Sequence, residues 1–315
     1  MKLIIQIPCW NEALQLPETI ADLPKEVEGV DTVEYLIIDD GSQDNTSQVA
    51  KDLGVHHILR LPHNMGLANA FRSGLDYCLA LGADIVVNTD ADNQYCGADI
   101  CKLVLPIIEK QADMVVGVRP IQQIESFSFL KKKLQNLGSY VVRKLSNTNV
   151  EDAPSGFRAF SRKAAQSINV FGQYSYTLET IIQCGQSGIA VTTIPISVNK
   201  PTRESRLVKS IPSYIGKSGM QMFRIFITYR PMRFFLTMAI AWGVIGMILC
   251  VRYLYFMAMG SGDGHVQSVI LGIFCLGLGF GSAGLAVLAD LIAVNRKMLE
   301  KVQAHLWSMD EKIPK

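Results

Sequence analysis

Residues 84–95 read DIVVNTDADNQY, and the fold turns on how that stretch is divided. Ile85, Val86 and Val87 form a short β-branched run, the composition of a strand covered on both faces. Asp90 and Asp92 follow one residue apart, where that strand should end. Carboxylates so close repel one another unless a cation sits among them. An isolated DAD reads more simply as capping for a following helix, so the surrounding sequence has to decide.

Working outward, runs of the same kind recur as LIIQI (3–7), EYLIID (34–39), HHIL (56–59) and DMVVGV (113–118). Helices are predicted between them at 16–23, 46–53, 66–81 and 98–110. Strands alternating with helices imply a doubly wound α/β domain with a Rossmann-like, mainly parallel sheet. Such sheets bind ligands at the carboxyl ends of their strands. Three polar stretches fall at such ends: PCWNE (8–12), DDGSQDNT (39–46) and TDADNQ (89–94). Glu12, Asp39, Asp40, Asp90 and Asp92 are thereby predicted on one rim. A hard divalent cation, Mg2+ or Mn2+, held by Asp90 and Asp92 and shared with a diphosphate, is the simplest way to balance them.

The chain has 315 residues, of which 49% are hydrophobic, a high share for an ordinary soluble protein. The excess lies near the C-terminus. Residues 232–258 and 266–290 each exceed the ~20 residues that a bilayer-spanning helix needs. Only MGSGDGH (259–265) separates them, so a transmembrane hairpin spanning 232–294 is predicted. Lys200, Arg203, Arg206, Lys209, Lys217, Arg224 and Arg230 precede it and Arg233 stands at its start, opposed by Glu204 alone. The positive-inside rule then assigns residues 1–230 and the tail, 295–315, to the cytoplasm. Gly277 and Gly281 would let two helices approach closely, within the hairpin or in a homo-oligomer. Residues 207–231 read as an amphipathic juxtamembrane segment, with Lys217 and Arg224 on one stripe and Ile211, Ile215 and Phe226 on another.

Other classes are set aside on the same grounds. MKLIIQIPCWNE lacks the apolar length of a signal peptide. Seven cysteines, odd in number and without a CxxC pair, fit reduced packing residues. His56, His57 and His63 are read as strand and loop residues, not metal ligands. KKK (131–133) has no interleaved aromatics, so no nucleic-acid partner is expected.

In that order and spacing, IPCWNE, DDGSQDNT, HNMGLANAFRSGL and NTDADNQY resemble the family 2 glycosyltransferases of the GT-A fold. EDAPSGFRAFSR (151–162) and the hydrophobic hairpin extend the resemblance to the branch of dolichol-phosphate mannose synthases and polyprenyl-phosphate glycosyltransferases. The resemblance implies a GT-A catalytic domain over 1–206. It also implies inverting, metal-dependent transfer of one hexose from a nucleotide sugar, of GDP-mannose or UDP-glucose type, to a polyprenyl phosphate. Pro8, Asn11, Glu12, Asp39 and Asp40 would line the nucleotide-sugar pocket. Asp90 and Asp92 would hold the metal and, with Gln94 and Arg119, make up the catalytic set. Arg119, Lys132, Asn136, Asp152, Ser155, Lys200, Arg203 and Arg206 would surround the acceptor phosphate.

Relatives often carry an arginine and a serine where the alignment gives Lys132 and Asn136, and lysine meets phosphate without arginine's two-pronged geometry. Arg158 reads equally as a surface ion pair or as a ligand. The alternatives are a different acceptor, either a lipid-diphosphate-linked sugar or a soluble glycan, and a non-catalytic nucleotide-sugar-binding membrane protein. The absence of a QxxRW motif argues against a processive polysaccharide synthase.

Overall fold

The computed structural model describes residues 1–120, 138–144, 146–170, 176–199, 216, 219–220, 223–224 and 226–310. The β-branched runs become the centre of one seven-stranded sheet. Its strands are β1 (Lys2–Cys9), β2 (Thr32–Asp39), β3 (His57–Arg60), β4 (Ile85–Asn88), β5 (Met114–Val118), β6 (Arg158–Ser161) and β7 (Val191–Pro195). They lie in the order β3-β2-β1-β4-β6-β5-β7. Every pairing is parallel except those of β6, which runs antiparallel to β4 and β5. The accompanying helices are α1 (Leu16–Asp22), α2 (Thr46–Asp52), α3 (Leu67–Ala80), α4 (Ile100–Ile108), α5 (Arg162–Ser167) and α6 (Thr177–Gln186).

Both sheet faces are covered, which is why the strands read as continuous apolar runs. One face buries Leu3, Ile5, Ile7, Ile37, Val87 and Val115 against α4 residues Leu103 and Val104. Ile4, Leu36, Ile38 and Val86, of the opposite alternation, are also completely buried. Each such side chain contributes ~1.5–3 kcal/mol relative to exposure. Register then positions the rim: Cys9 pairs with Asp39 and Gln6 with Asn88, so the loops after β1, β2 and β4 leave from one edge.

The chain divides into two compact units, Met1–Ser218 and Gly219–Lys315. In the second, α7 (Pro231–Ala258) and α8 (Val266–Asp310) are joined by a short 3-10 turn, Gly262–His265. Pro231–Ala258 and Val266–Arg296 are long and apolar enough to cross a membrane, and only 11% and 28% of their most apolar windows are buried. That exposure separates them from the core helices of a soluble protein. α8 is longer than the sequence suggests and stays helical through Asp310, well into the expected tail.

Within the hairpin, the small-residue stretch 276–286 does approach α7, but through Gly279 and not through Gly277 or Gly281. Nothing lies within 4 Å of the Cβ position at either. The close approach instead uses Gly272 and Gly279. A Cβ at Gly272 would meet Cys250 Sγ at 2.7 Å, and one at Gly279 would meet Ala239 O at 3.1 Å. Helical rotation puts the seven-residue pair 272/279 on the face towards α7 and leaves 277/281 on another.

Candidate active site

The two loops after β1 and β2 are woven together by their own polar groups. Asn11 adopts a left-handed backbone with φ +56°. Its carboxamide oxygen accepts the Gln43 N–H at 2.8 Å, and its own N–H goes to Ser42 Oγ at 3.0 Å. The Glu12 N–H reaches Thr46 Oγ1 at 2.9 Å. Asp39 is fully buried and accepts the Ser42 N–H at 2.7 Å and the Ser47 hydroxyl. Asp40 accepts the N–H groups of Met65 and Gly66, at 2.7 and 2.9 Å, at the start of α3. Between them Gly41 has φ +67°, and a Cβ there would fall 2.5 Å from the His63 carbonyl carbon, so no other residue fits. A cavity of about 400 Å³ opens beside this weave, lined by Asn11, Leu14, Gln15, Gln43 and Asp44. Asp39 and Asp40, two of the acidic residues expected to face a nucleotide, thus shape the loops that would receive it.

The DAD loop follows β4. Asn93 takes the left-handed conformation at φ +52°, and Asp92 Oδ1 accepts the Gln94 N–H at 3.2 Å. Asn199, more than a hundred residues away, clasps this loop. Its carboxamide N–H groups reach Asn93 O at 3.1 Å and Tyr95 O at 3.4 Å, and its backbone N–H reaches Gln94 O at 2.9 Å. Val198 forms an antiparallel bridge with Tyr95, and Asp99 accepts the Ser197 N–H at 2.5 Å.

Gly156 of the SGF turn packs against the Asp90 carboxylate. A Cβ at 156 would lie 3.1 and 3.2 Å from its two oxygens and 3.0 Å from the Tyr176 hydroxyl. The Gly156 carbonyl is held by Asn88 Nδ2 at 3.0 Å, and Asn88 in turn accepts from Gln6 at 3.0 Å. Burial pushes the Asp90 carboxyl up to about 7, Asp92 adds to the rise, and Arg119, Tyr95 and Arg158 oppose it. A group so poised gains from any added cation. Among the described residues no three His, Cys, Asp or Glu side chains converge on one point. Asp90 and Asp92 could therefore hold a metal only as a pair, with oxygens of a ligand or water completing its shell, the usual arrangement for a small hard cation at a phosphate site.

Arg119, just after β5, reaches towards the same place. Its Nε and one Nη bond the fully buried Asp152 carboxylate at 2.7 and 3.0 Å, a two-pronged pair. Burial works against the Arg119 charge, but Tyr95, Asp152 and Asp90 together hold its pKa above the ordinary arginine value. Asp152 therefore serves as counter-ion to Arg119. Among the described residues the buried Ser155 hydroxyl has no hydrogen-bond partner.

Arg158 is neither a surface ion pair nor a ligand. It is completely buried, donating to Ser155 O at 2.7 Å, Ala153 O at 2.7 Å, Thr177 O at 2.6 Å and Thr180 Oγ1 at 2.5 Å. Burial lowers its pKa to about 10, so it is still a cation at neutral pH. It ties the 152–157 turn to the start of α6. Lys132, Asn136, Lys200, Arg203 and Arg206 lie outside the described residues. Tyr95, Asn199 and Asn88 were missed by sequence reasoning, because nothing local marks a residue whose partner lies so far along the chain.

Comparison with known proteins bears on this arrangement. The chain is 31% identical over 212 residues to the UDP-N-acetylglucosamine–dolichyl-phosphate N-acetylglucosaminyltransferase of Methanococcus voltae, covering 60% of this chain and 82% of that protein. It is 24% identical over 233 residues to the polyprenol monophosphomannose synthase of Mycolicibacterium smegmatis, covering 70% and 84%. Among solved structures, glucosyl-3-phosphoglycerate synthase from Mycobacterium tuberculosis, in complex with Mn2+, UDP and phosphoglyceric acid, superposes with a TM-score of 0.56 at 18% identity, over 72% of this chain and 77% of that one. That likeness is one of fold, the GT-A arrangement of sheet and rim. The sequence model of Glycosyl transferase family 2 matches residues 4–168, from β1 through the DAD loop to β6 and α5, and the chain belongs to that family.

Proposed function

We propose that the protein transfers a single hexose from a nucleotide sugar to a polyprenyl phosphate at the cytoplasmic face of a membrane, with inversion and with Mg2+ or Mn2+. The observation that carries this reading is the meeting of three parts on one rim: the DAD loop, the Gly156 turn beneath Asp90, and the Arg119–Asp152 pair. The names of relatives that act on dolichyl and polyprenol phosphates support the acceptor class. The two apolar helices support a membrane-borne substrate, and the basic run from Lys200 to Arg233 supports the cytoplasmic orientation.

In this reading Pro8, Asn11, Glu12, Asp39 and Asp40 shape the nucleotide site through the weave of their loops. Asp90 and Asp92 are the residues that would hold the cation, whose charge would stabilise the departing nucleoside diphosphate. Gln94, at the end of the same loop, is assigned to the donor side of the site in this reading. A phosphate monoester is largely ionised at neutral pH, its second pKa being near 6. The acceptor therefore needs no strong base and needs a cationic cradle instead. Arg119, aimed by Asp152, supplies one wall of it in this reading, and Ser155 offers a hydroxyl that has no partner among the described residues. Lys132, Asn136, Lys200, Arg203 and Arg206 complete the cradle in this reading. Beneath the loop, Tyr95 stacks on Phe157, and both rings are buried.

The test is nucleotide release by the detergent-purified protein with Mn2+. UDP-glucose, UDP-N-acetylglucosamine and GDP-mannose are each assayed with and without undecaprenyl phosphate, beside Asp92→Asn. Release that needs one donor and the lipid, and collapses in the variant, is expected. Turnover indifferent to lipid phosphate would move the acceptor to a soluble or diphosphate-linked glycan.

A further inference from the structure

Asn199 stands outside the residues assigned to either substrate, yet three successive carbonyls of the DAD loop end on it. Its carboxamide nitrogen donates to Asn93 O at 3.1 Å and to Tyr95 O at 3.4 Å, and its backbone N–H donates to Gln94 O at 2.9 Å. A carboxamide carries two N–H donors, enough for both of the carbonyls it meets. The segment that brings Asn199 here is itself tied down at each step. Beyond β7, the Ile196 N–H bonds Val118 O at 3.0 Å, the Ser197 N–H bonds Asp99, and Val198 bridges Tyr95.

The Asn93–Gln94 peptide connects this clasp to the chemistry. Its carbonyl is held by Asn199, and its N–H donates to Asp92 Oδ1 at 3.2 Å. A peptide unit is planar, so fixing the direction of its carbonyl fixes the direction of its N–H. The turn also needs support, because Asn93 holds the sparsely populated left-handed conformation at φ +52°. Such a conformation persists only where its surroundings over-determine it.

We propose that Asn199 is a positioning residue for the transfer reaction: through the Asn93–Gln94 peptide it sets the Asp92 carboxylate in the orientation that receives a divalent cation together with a nucleoside diphosphate. The inference rests on the metal-dependent reading given above. Groups that orient ligating carboxylates are worth ~10–100-fold in metal affinity or activity. Alanine at 199 would remove the carboxamide and keep the backbone N–H that holds Gln94 O.

The experiment uses the full-length protein in detergent and measures Mn2+ binding in the presence of UDP or GDP by calorimetry, beside thermal melting. Asn199→Ala is expected to bind Mn2+ about tenfold more weakly. Asn199→Ser, too short to bridge two carbonyls, is expected to lose as much and serves if the alanine variant does not fold. Gln183→Ala is the matched control. It removes a buried carboxamide on α6 that accepts the Asn169 N–H at 2.8 Å. It is expected to melt lower and to retain its Mn2+ affinity. Wild-type Mn2+ affinity in either substitution at 199 overturns the proposal while leaving the metal-dependent reading intact. Equal loss at 199 and 183 also overturns it, because general loosening rather than the clasped peptide would then set the site. Wild-type protein that binds no Mn2+ with either nucleotide overturns the metal-dependent reading and this inference together.

Discussion

Replacing Arg158 with methionine keeps a long, unbranched side chain and removes only the guanidinium. Four acceptors lose their donor. Thr177 O still receives the Thr180 hydroxyl at 3.3 Å, so it is not orphaned. The carbonyls of Ser155 and Ala153, both in fully buried residues, are left without the donor that reached them. A buried acceptor left unsatisfied costs ~1–3 kcal/mol, so the pair costs about 2–6 kcal/mol. Against a typical total of ~5–15 kcal/mol, that is a large fraction. It corresponds to a fall in melting temperature on the order of 10 °C for a domain of this size. Arg158→Lys keeps a charge and up to three donors on a shorter reach, and should fall between the two. Melting of the detergent-purified protein by intrinsic fluorescence reads all three. A surface ion pair would contribute only ~0–1 kcal/mol. A methionine variant that melts within about 2 °C of the wild type would therefore refute the account of Arg158 as the tie between the 152–157 turn and α6.

Gly156→Ala should press a methyl group onto Asp90 and Tyr176, which must yield by a few tenths of an ångström. Overpacking of this kind costs ~1–3 kcal/mol, and displacement of a reacting group can cost ~100-fold in rate. Nucleotide release should fall far more than melting temperature does. Asp99 gives a pH signature. Burial would raise its carboxyl, but Lys102 and the Ser197 N–H overcome this and hold the pKa below the ordinary 3.8. Its stabilisation is therefore complete above pH 3.8 and lost as pH falls through the lower folded value. Asp99→Asn should melt below the wild type at neutral pH, with the gap closing under strongly acidic conditions. In the hairpin, Gly272→Leu should disrupt the packing of α7 on α8 and reduce the monodisperse fraction in size-exclusion chromatography, whereas Gly277→Leu should be tolerated.

Much of the sheet is legible in the sequence because β1, β2 and β4 bury both faces. Their β-branched runs stand out between polar loops, and parallel pairing sends those loops to one edge. Other elements are hidden for physical reasons. β6 begins with a charged residue that looks exposed in sequence, since the oxygens that satisfy Arg158 belong partly to Thr177 and Thr180 on another element. α6 carries Glu179, Thr180 and Gln183 in buried positions, so it shows no clear apolar stripe. Gly277 and Gly279 both sit in small-residue patterns, and only packing distinguishes the face that touches α7. The strand end that carries Asp90 and Asp92, the pair proposed to hold a metal, is legible from the apolar run before it. Its supports, Tyr95, Gly156 and Asn199, come from three separate places in the chain and are joined only by folding.

The contact between Gly41 and His63 has a consequence for engineering. Because Asp40 bonds Met65 and Gly66 while Gly41 leaves no room beside His63, the loop after β2 and the approach to α3 fit each other as matched halves. A chimera that imports residues 39–44 from a relative with a different donor would carry one half of a lock without the other. Exchange of donor preference would require 39–66 to travel as one cassette.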